Sequence, residues 1–108
     1  MDKQLAIGMV QADAAMLHVA ETAIPVGGDE AAERARDAAL NVFCQAVSDY
    51  IGSLSDTAQP TAEMVQVALF DLGAERLPVG RAYNAFEWGM YVGELAAEVF
   101  NRLHDKAA

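Results

Sequence analysis

Apolar residues recur at intervals of three and four along four segments of this chain, and turn-forming residues follow each of the first three. This spacing is typical of amphipathic helices, and no run alternates with a period of two for long enough to form a strand. Single domains typically contain about 100–150 residues. We therefore expect an all-α fold, a four-helix bundle in one helical domain covering residues 1–108.

Prolines, glycines and capping residues set the expected ends of these helices. The residue before Pro25 avoids helical backbone, so the first helix should end there. Asp29 is a candidate N-cap for the second helix, and Thr61 or Asp56 opens a short third helix that Gly73 closes. The four expected helices span about residues 2–24, 29–53, 61–73 and 81–105.

The first expected helix carries two apolar stripes when its residues are projected at ~100° per residue. One stripe has heptad-like spacing and is expected to face the core: Leu5, Met9, Ala12, Met16, Val19 and Ala23. The other is expected to face a protein partner or a second copy of the chain: Ile7, Val10, Ala14, Leu17 and Ile24. One bundle cannot easily bury both stripes, and exposed apolar stripes are usual interaction sites. Alternatively, the third helix or the loop at 74–80 covers the second stripe within the chain.

The second and third expected helices each have one clear apolar side. The apolar side of the second comprises Leu40, Phe43, Cys44, Val47, Tyr50, Ile51 and Leu54. Its polar side comprises Glu30, Arg34, Asp37, Asn41, Gln45, Ser48 and Asp49. The main stripe of the third helix is Val65, Leu69 and Leu72, and Val67 and Phe70 lie off it.

Glycines inside the fourth expected helix require an explanation, because each costs about 1 kcal/mol relative to alanine. A strip of small residues at intervals of four runs along this helix: Ala85, Gly89, Gly93 and Ala97. The first helix offers a matching strip of Gly8, Ala12 and Ala15. Small residues allow helix backbones to approach closely. We therefore expect these strips to pack together, within one chain or across the axis of a homodimer.

The charge balance restricts the possible partners. Sixteen acids against seven bases leave a formal net charge of −9. Direct binding of nucleic acid or of an anionic membrane surface requires a basic face, so neither is expected. Cys44 is the only cysteine and no signal peptide is apparent, which favours a cytoplasmic protein. Abundant alanine and an excess of Arg over Lys are typical of GC-rich bacterial or phage genomes.

Residues capable of catalysis or metal binding are few. His18 and Glu21 are three apart, whereas a metal site needs three or four protein ligands. Glu30 and Glu33 resemble the first half of the carboxylate pattern of helical nucleotide pyrophosphohydrolases, but the second half is missing. Cys44 lies on an apolar side without a basic neighbour, which is typical of an inert thiol. We therefore expect no enzyme activity, no cofactor and no metal.

One stretch, LGAERLPVGRAYNAF, resembles the turn and recognition helix of helix-turn-helix repressors over fifteen residues. It departs from that pattern at two positions. Ala68 lies five residues before Gly73 instead of four, and Pro78 falls where the recognition helix should already have begun. The acidic charge also opposes contact with phosphates.

These observations favour a homodimer that acts as a small acidic non-enzymatic protein-interaction module, such as an adaptor, chaperone or inhibitor, and its charge would favour a basic partner. Its apolar helix face would supply affinity and its acidic rims orientation. One alternative is a nucleic-acid mimic that inhibits a DNA- or RNA-binding enzyme. Another is a bundle that binds a small ligand or metal near Trp88, Tyr91 and His18.

Overall fold

The computed structural model describes residues 2–54, 59–72 and 83–107, with side chains in the last helix as far as Leu103. These residues form an all-α four-helix bundle and contain no strand, which confirms the expected fold class. The helices are α1 (Lys3–Thr22), α2 (Glu30–Leu54), α3 (Ala62–Asp71) and α4 (Ala85–Ala107). None of these helices, in the part of the chain that the structure describes, is long and apolar enough to span a lipid bilayer.

Polar side chains cap the first and third helices. The Asp2 carboxylate accepts a hydrogen bond of 3.1 Å from the backbone N–H of Gln4 at the start of α1. At the start of α3, the Thr61 hydroxyl accepts one of 3.2 Å from the N–H of Met64. Such caps satisfy backbone donors that have no partner inside the helix. Thr61 therefore begins α3, whereas the other candidate, Asp56, and the expected stop, Gly73, lie outside the described residues.

The connection between α1 and α2 begins earlier than Pro25. α1 ends at Thr22, and the backbone turns where the Gly28 N–H donates a 3.0 Å hydrogen bond to the Pro25 carbonyl. Gly27 and Gly28 have φ values of +93° and +87°, a region that glycine enters without steric cost. Two consecutive glycines therefore permit the sharp return of the chain into α2.

One buried cluster draws residues from all four helices, and α1 packs mainly against α2. The largest fully buried apolar side chains are Val10 and Leu17 from α1, Phe43, Val47 and Ile51 from α2, Val65 and Leu69 from α3, and Val92, Leu95 and Val99 from α4. The expected apolar sides of α2 and α3 supply the members of this set from those two helices. On α2, Leu54 is an exception, because its side chain is 40% exposed.

The two stripes of α1 have the opposite roles to those expected. The stripe assigned to a partner lies in the core: Ile7, Val10, Ala14 and Leu17 are buried, and Ile24 is half-buried. The stripe assigned to the core is exposed, with Leu5 at 59%, Met9 at 40%, Met16 at 63% and Val19 at 61%, and with Ala12 and Ala23 also exposed. Both stripes are apolar throughout, so the helical pattern did not distinguish them. The prediction was wrong because contacts with α2 and α4 select the face.

The prediction that the small-residue strips of α1 and α4 pack closely together is also wrong within the chain. Among the described residues, nothing lies within 4 Å of a Cβ atom built on Gly8 or on Gly93. A Cβ on Gly89 would meet only the Tyr50 hydroxyl at 3.6 Å, an ordinary contact. The other strip residues are exposed: Ala12, Ala15, Ala85 and Ala97. The strips therefore point outward, and their use between two chains stays a prediction.

Ser48 is the one expected surface residue of α2 that is buried, and it connects α2 to the start of α3. Its hydroxyl donates a 2.6 Å hydrogen bond to the Pro60 carbonyl and accepts one of 3.0 Å from the Gln59 amide. That amide also donates to Asp49 at 2.8 Å. Buried polar groups require such partners. These bonds hold the segment before α3 against the side of α2.

Adjacent residues on α1 test which face is buried. Leu17→Ala should lower the free energy of unfolding by about 2–5 kcal/mol, because Leu17 is fully buried and truncation leaves a cavity. Met16→Ala should change it by less than about 0.5 kcal/mol, because Met16 is exposed. Urea denaturation at low protein concentration measures both values. A larger loss for Met16→Ala than for Leu17→Ala would reverse the assignment of the faces.

The outward glycines should tolerate a methyl group. Gly8→Ala and Gly93→Ala should each raise the free energy of unfolding by about 0.5–1 kcal/mol, because alanine restricts the unfolded chain and meets no neighbour here. Gly27→Ala is the matched control and should be destabilising, because its φ is +93°. A destabilising Gly93→Ala would mean that this strip packs against another surface.

Candidate interaction surface

The outer face of α4 exposes two large apolar side chains. Phe86 is 75% exposed and Met90 is 60% exposed, and both lie away from the core positions of the same helix. Gly93 and Ala97 continue this strip, since positions four, three and four apart share one side of a helix. We call Phe86, Met90, Gly93 and Ala97 the outer face of α4. Exposed apolar strips of this kind favour contact with another macromolecule.

A capping box fixes the start of α4 and therefore the position of this face. The Glu87 N–H donates a 2.8 Å hydrogen bond to the Asn84 side chain, and the Asn84 N–H donates one of 3.3 Å to the Glu87 carboxylate. The spacing Asn-x-x-Glu is a sequence pattern that marks the start of a helix, and it is present in the sequence. The helix consequently begins at Ala85, and the expected start near residue 81 overlooked this signal.

An acidic groove runs beside Met90. Tyr83, Glu87, Met90, Tyr91 and Glu94 line a shallow depression of about 230 Å³. Glu87 and Glu94 are seven residues apart, so both carboxylates lie on the same side of α4. Carboxylates bind cationic side chains, and aromatic faces attract them as well. This groove therefore suits a lysine or arginine of a bound protein, next to an apolar contact at Met90.

The outer face of α1 is a second exposed apolar surface, composed of Leu5, Met9, Ala12, Met16, Val19 and Ala23. Its larger side chains are between 40% and 63% exposed. Neither surface has a carboxylate among its members, but the outer face of α4 adjoins an acidic groove lined by Glu87 and Glu94. The two surfaces therefore differ in the chemistry of the partner that each suits.

Trp88 lies in a buried aromatic cluster. It is 3% exposed, and its ring makes edge-to-face contacts with Phe43, Tyr83 and Tyr91 at centroid distances of 6.0, 5.4 and 5.8 Å. Such aromatic pairs stabilise a core beyond the area that they bury. The Trp88 ring is therefore packed against other aromatic side chains of the chain, and a ligand or metal site near Trp88, Tyr91 and His18 stays a hypothesis.

A wider groove of about 520 Å³ lies between α1, α2 and α3. Leu40, Leu69 and Phe70 supply apolar contacts, and the polar residues are Glu21, Arg36, Asp37, Asn41 and Gln66. The Arg36 guanidinium donates a 2.8 Å hydrogen bond to Asp37. This bond raises the pKa of Arg36, and the nearby acids, including Glu21, add to the effect. The cation in this groove is thus already compensated by acids of the chain.

The residues considered for chemistry do not assemble. Cys44 is completely buried on α2, and burial raises the pKa of its thiol to about 11. His18 is half-buried on α1, and its carbonyl accepts a 3.0 Å hydrogen bond from the Thr22 hydroxyl. Among the described residues, no three His, Cys, Asp or Glu side chains lie close enough together to hold a metal ion.

Comparison with known proteins assigns no relative to this fold. No protein-family model matches the chain. Neither the curated proteins nor the solved structures contain a significant match. The helix-turn-helix resemblance falls mainly on residues 73–82, which lie outside the described residues. Function must therefore be inferred from the exposed surfaces of the chain itself.

The burial of Cys44 predicts an unreactive thiol. Labelling with a thiol reagent at neutral pH should be at least ~100-fold slower in the native protein than in urea, because the reagent reacts with the thiolate and needs access. Mass spectrometry follows the reaction, since Cys44 is the only cysteine. Equal rates in the native and unfolded protein would contradict this burial.

The same thiol gives the protein a specific alkaline sensitivity. The folded state holds the Cys44 proton more tightly than the unfolded state, because the folded pKa is raised to about 11. Its contribution to stability is therefore complete below the unfolded pKa of about 9 and is lost as the pH rises towards 11. Cys44→Ala should show a smaller loss of stability over this interval. Identical alkaline slopes for the two proteins would exclude this linkage.

Proposed function

We propose that this chain is a small acidic, non-enzymatic protein-interaction module, such as an adaptor, chaperone or inhibitor, of bacterial or phage origin and cytoplasmic. The observation that supports this proposal is the outer face of α4, where Phe86 and Met90 are exposed beside the carboxylates of Glu87 and Glu94. An apolar contact next to acidic groups suits a partner segment that is both apolar and basic.

Phe86 and Met90 alone do not supply enough binding free energy for a stable complex. Burying a Phe or Met side chain completely contributes about 1.5–3 kcal/mol. Phe86 and Met90 are 75% and 60% exposed, so together they would contribute roughly 2–4 kcal/mol. Association costs at least about 4 kcal/mol. Further contacts along Gly93, Ala97 and the acidic groove are therefore needed for measurable binding.

The charge of the chain would act mainly on the rate and selectivity of encounter. A net charge of −9 attracts cationic segments and repels acidic ones. At the surface, Glu87 and Glu94 would then position a lysine or arginine, while the small residues at 93 and 97 leave room for a helix backbone to approach. We therefore propose an amphipathic basic helix as the partner segment.

A pair of synthetic peptides tests this proposal. One peptide carries leucines on one face of a helix and lysines on the other, and its counterpart carries glutamates in place of the lysines. The lysine peptide should bind at least ~10-fold more tightly, because only it complements the acidic groove. Fluorescence anisotropy at low and high salt measures both affinities. Equal or absent binding of the two peptides would contradict the proposal.

Matched variants locate the contact on α4. Phe86→Ala should weaken binding of the lysine peptide, whereas Val67→Ala should not, because Val67 is exposed on another helix. Glu94→Gln should weaken binding, whereas Glu63→Gln on α3 removes an equal charge elsewhere and should have little effect. Equal losses for Glu94→Gln and Glu63→Gln would indicate attraction to the overall charge, and equal losses for Phe86→Ala and Val67→Ala would mean that the apolar contact is not specific to this face.

The alternative of a nucleic-acid mimic has weaker support on α2. Two of its acids are paired with arginines, Glu30 with Arg34 at 3.2 Å and Asp37 with Arg36 at 2.8 Å, which reduces their resemblance to a row of phosphates. A mimic should release its partner steeply between ~50 and 500 mM salt, whereas apolar docking should persist.

The alternative of a ligand-binding bundle has a second candidate site besides the surroundings of Trp88, namely the wider groove. The groove between α1, α2 and α3 offers Asn41 and Gln66 as neutral hydrogen-bonding groups above Leu69. A ligand-dependent rise in melting temperature would support this function. A constant melting temperature across metals and metabolites would exclude it for the compounds used.

A further inference from the structure

We infer that the outer face of α1 binds a second copy of this chain, forming an antiparallel pair of α1 helices. This surface is distinct from the proposed partner site on α4. Three of its properties support a contact between copies: its spacing, its lack of charge and its self-complementary order of large and small residues.

The spacing is that of a coiled-coil seam. Residues 5, 9, 12, 16, 19 and 23 alternate steps of four and three along the whole helix. Apolar residues with this repeat keep facing a second helix over many turns, and supercoiling compensates for the difference from 3.6 residues per turn. In the chain itself this seam is exposed, with Leu5 at 59% and Met16 at 63%. The pattern is therefore available for a helix outside the chain.

The composition of the seam favours contact with an apolar, uncharged surface. None of its six members is charged, in contrast to the acidic groove on α4, and Asp13, which is half-buried, is the acid that flanks the seam on the side opposite Ala15. Gly8 and Ala15 flank it and are exposed, and a Cβ built on Gly8 meets none of the described residues within 4 Å. Small flanking residues let two helices approach closely. Repulsion between the net charges of two copies acts at longer range and is screened over about 10 Å at 0.1 M salt.

The order of the side chains makes the seam complementary to itself when two helices run in opposite directions. With the two-fold axis near position 14, each layer joins a larger residue to a smaller one. In each layer one residue comes from the first copy and the other from the second copy. The layers are Leu5 with Ala23, Met9 with Val19, and Ala12 with Met16. A parallel pair would instead stack Met9 on Met9 and Ala12 on Ala12, which alternates crowded and empty layers. A two-fold contact of one patch with itself is the commonest form of dimer.

The size of this face predicts reversible association. A helix of 20 residues is about 30 Å long and about 10 Å wide, so one face covers only a few hundred Å². A standard stable interface involves about 800 Å² from each partner. The dimer should therefore be weak and dissociate on dilution.

Sedimentation velocity over a concentration series tests the dimer. The wild-type chain should shift from monomer towards dimer as its concentration is raised. Met16→Glu should weaken the dimer at least ~10-fold, because it places a charge in the seam. Val67→Glu is the matched control: it adds the same charge at a 44% exposed apolar residue on α3 and should leave the Kd unchanged. Circular dichroism should show equal helix content in all three proteins.

Cysteine cross-linking tests the direction of the helices. In the antiparallel arrangement the two copies of residue 15 lie near the axis, whereas the two copies of residue 23 are about 27 Å apart. A short bis-maleimide should therefore cross-link Ala15→Cys and not Ala23→Cys. The wild-type chain is the blank, because Cys44 is buried and its thiol pKa is raised.

Any one of the following four results would overturn the inference. A monomer at every concentration would mean that the seam does not bind a second copy. Equal weakening by Met16→Glu and Val67→Glu would place the dimer contact elsewhere. Efficient cross-linking of Ala23→Cys would show a parallel pair, because only then do the two copies of this residue meet. Binding of a different protein to the seam, with no self-association of the chain, would assign the seam to that protein.

Discussion

The arrangement of this bundle depends on which side of α1 is buried. Val10 and Leu17 are completely buried in the cluster that also holds Phe43 and Val47 of α2. Their burial removes apolar area from water, the main favourable contribution to folding. Because the stripes lie on different sides of the helix, burying one exposes the other. The exposed seam of α1 is thus a direct consequence of how the core is packed.

The aromatic cluster around Trp88 has a similar effect on α4. Trp88 contacts Phe43 of α2 through an edge-to-face arrangement, which holds one side of α4 against the core. With Trp88, Val92 and Leu95 turned inward, Phe86 and Met90 necessarily face solvent. The capping box at the start of the helix then sets the register of this outer face. Core packing on α1 and α4 therefore determines the two surfaces that the chain presents to others.

These two surfaces differ in charge, and that difference separates their proposed roles. The outer face of α4 adjoins the carboxylates of Glu87 and Glu94, which select for cationic groups. The seam of α1 has no charged member, and its order of side chains is complementary to itself. A chain that used the first for a partner and the second for its own copy would present two partner sites per dimer. Paired sites of this kind raise overall binding strength when both are engaged.

The sequence by itself determined the number and type of the elements. The helical repeat of apolar residues and the stops at glycine and proline predicted four helices, and Thr61 was among the predicted caps. It also predicted five of the seven buried residues of α2; Ala46 and Ser48 were missed, and Leu40 and Leu54 are less buried than expected. These features are local: they depend on the spacing of residues within one helix and on backbone preferences at its ends.

Only the tertiary structure decided which face of α1 is buried and what the glycines meet. Both stripes of α1 are apolar, so the helix alone has no preference, and the contacts that α2 and α4 offer make the choice. Gly93 has a spacing that suits close packing, yet no described residue lies within 4 Å of its added Cβ. Ser48 looks like a surface residue in sequence but is buried by its bond to Pro60. Each of these outcomes depends on contacts with residues that are distant in sequence, so the pattern of residues within one helix does not indicate them.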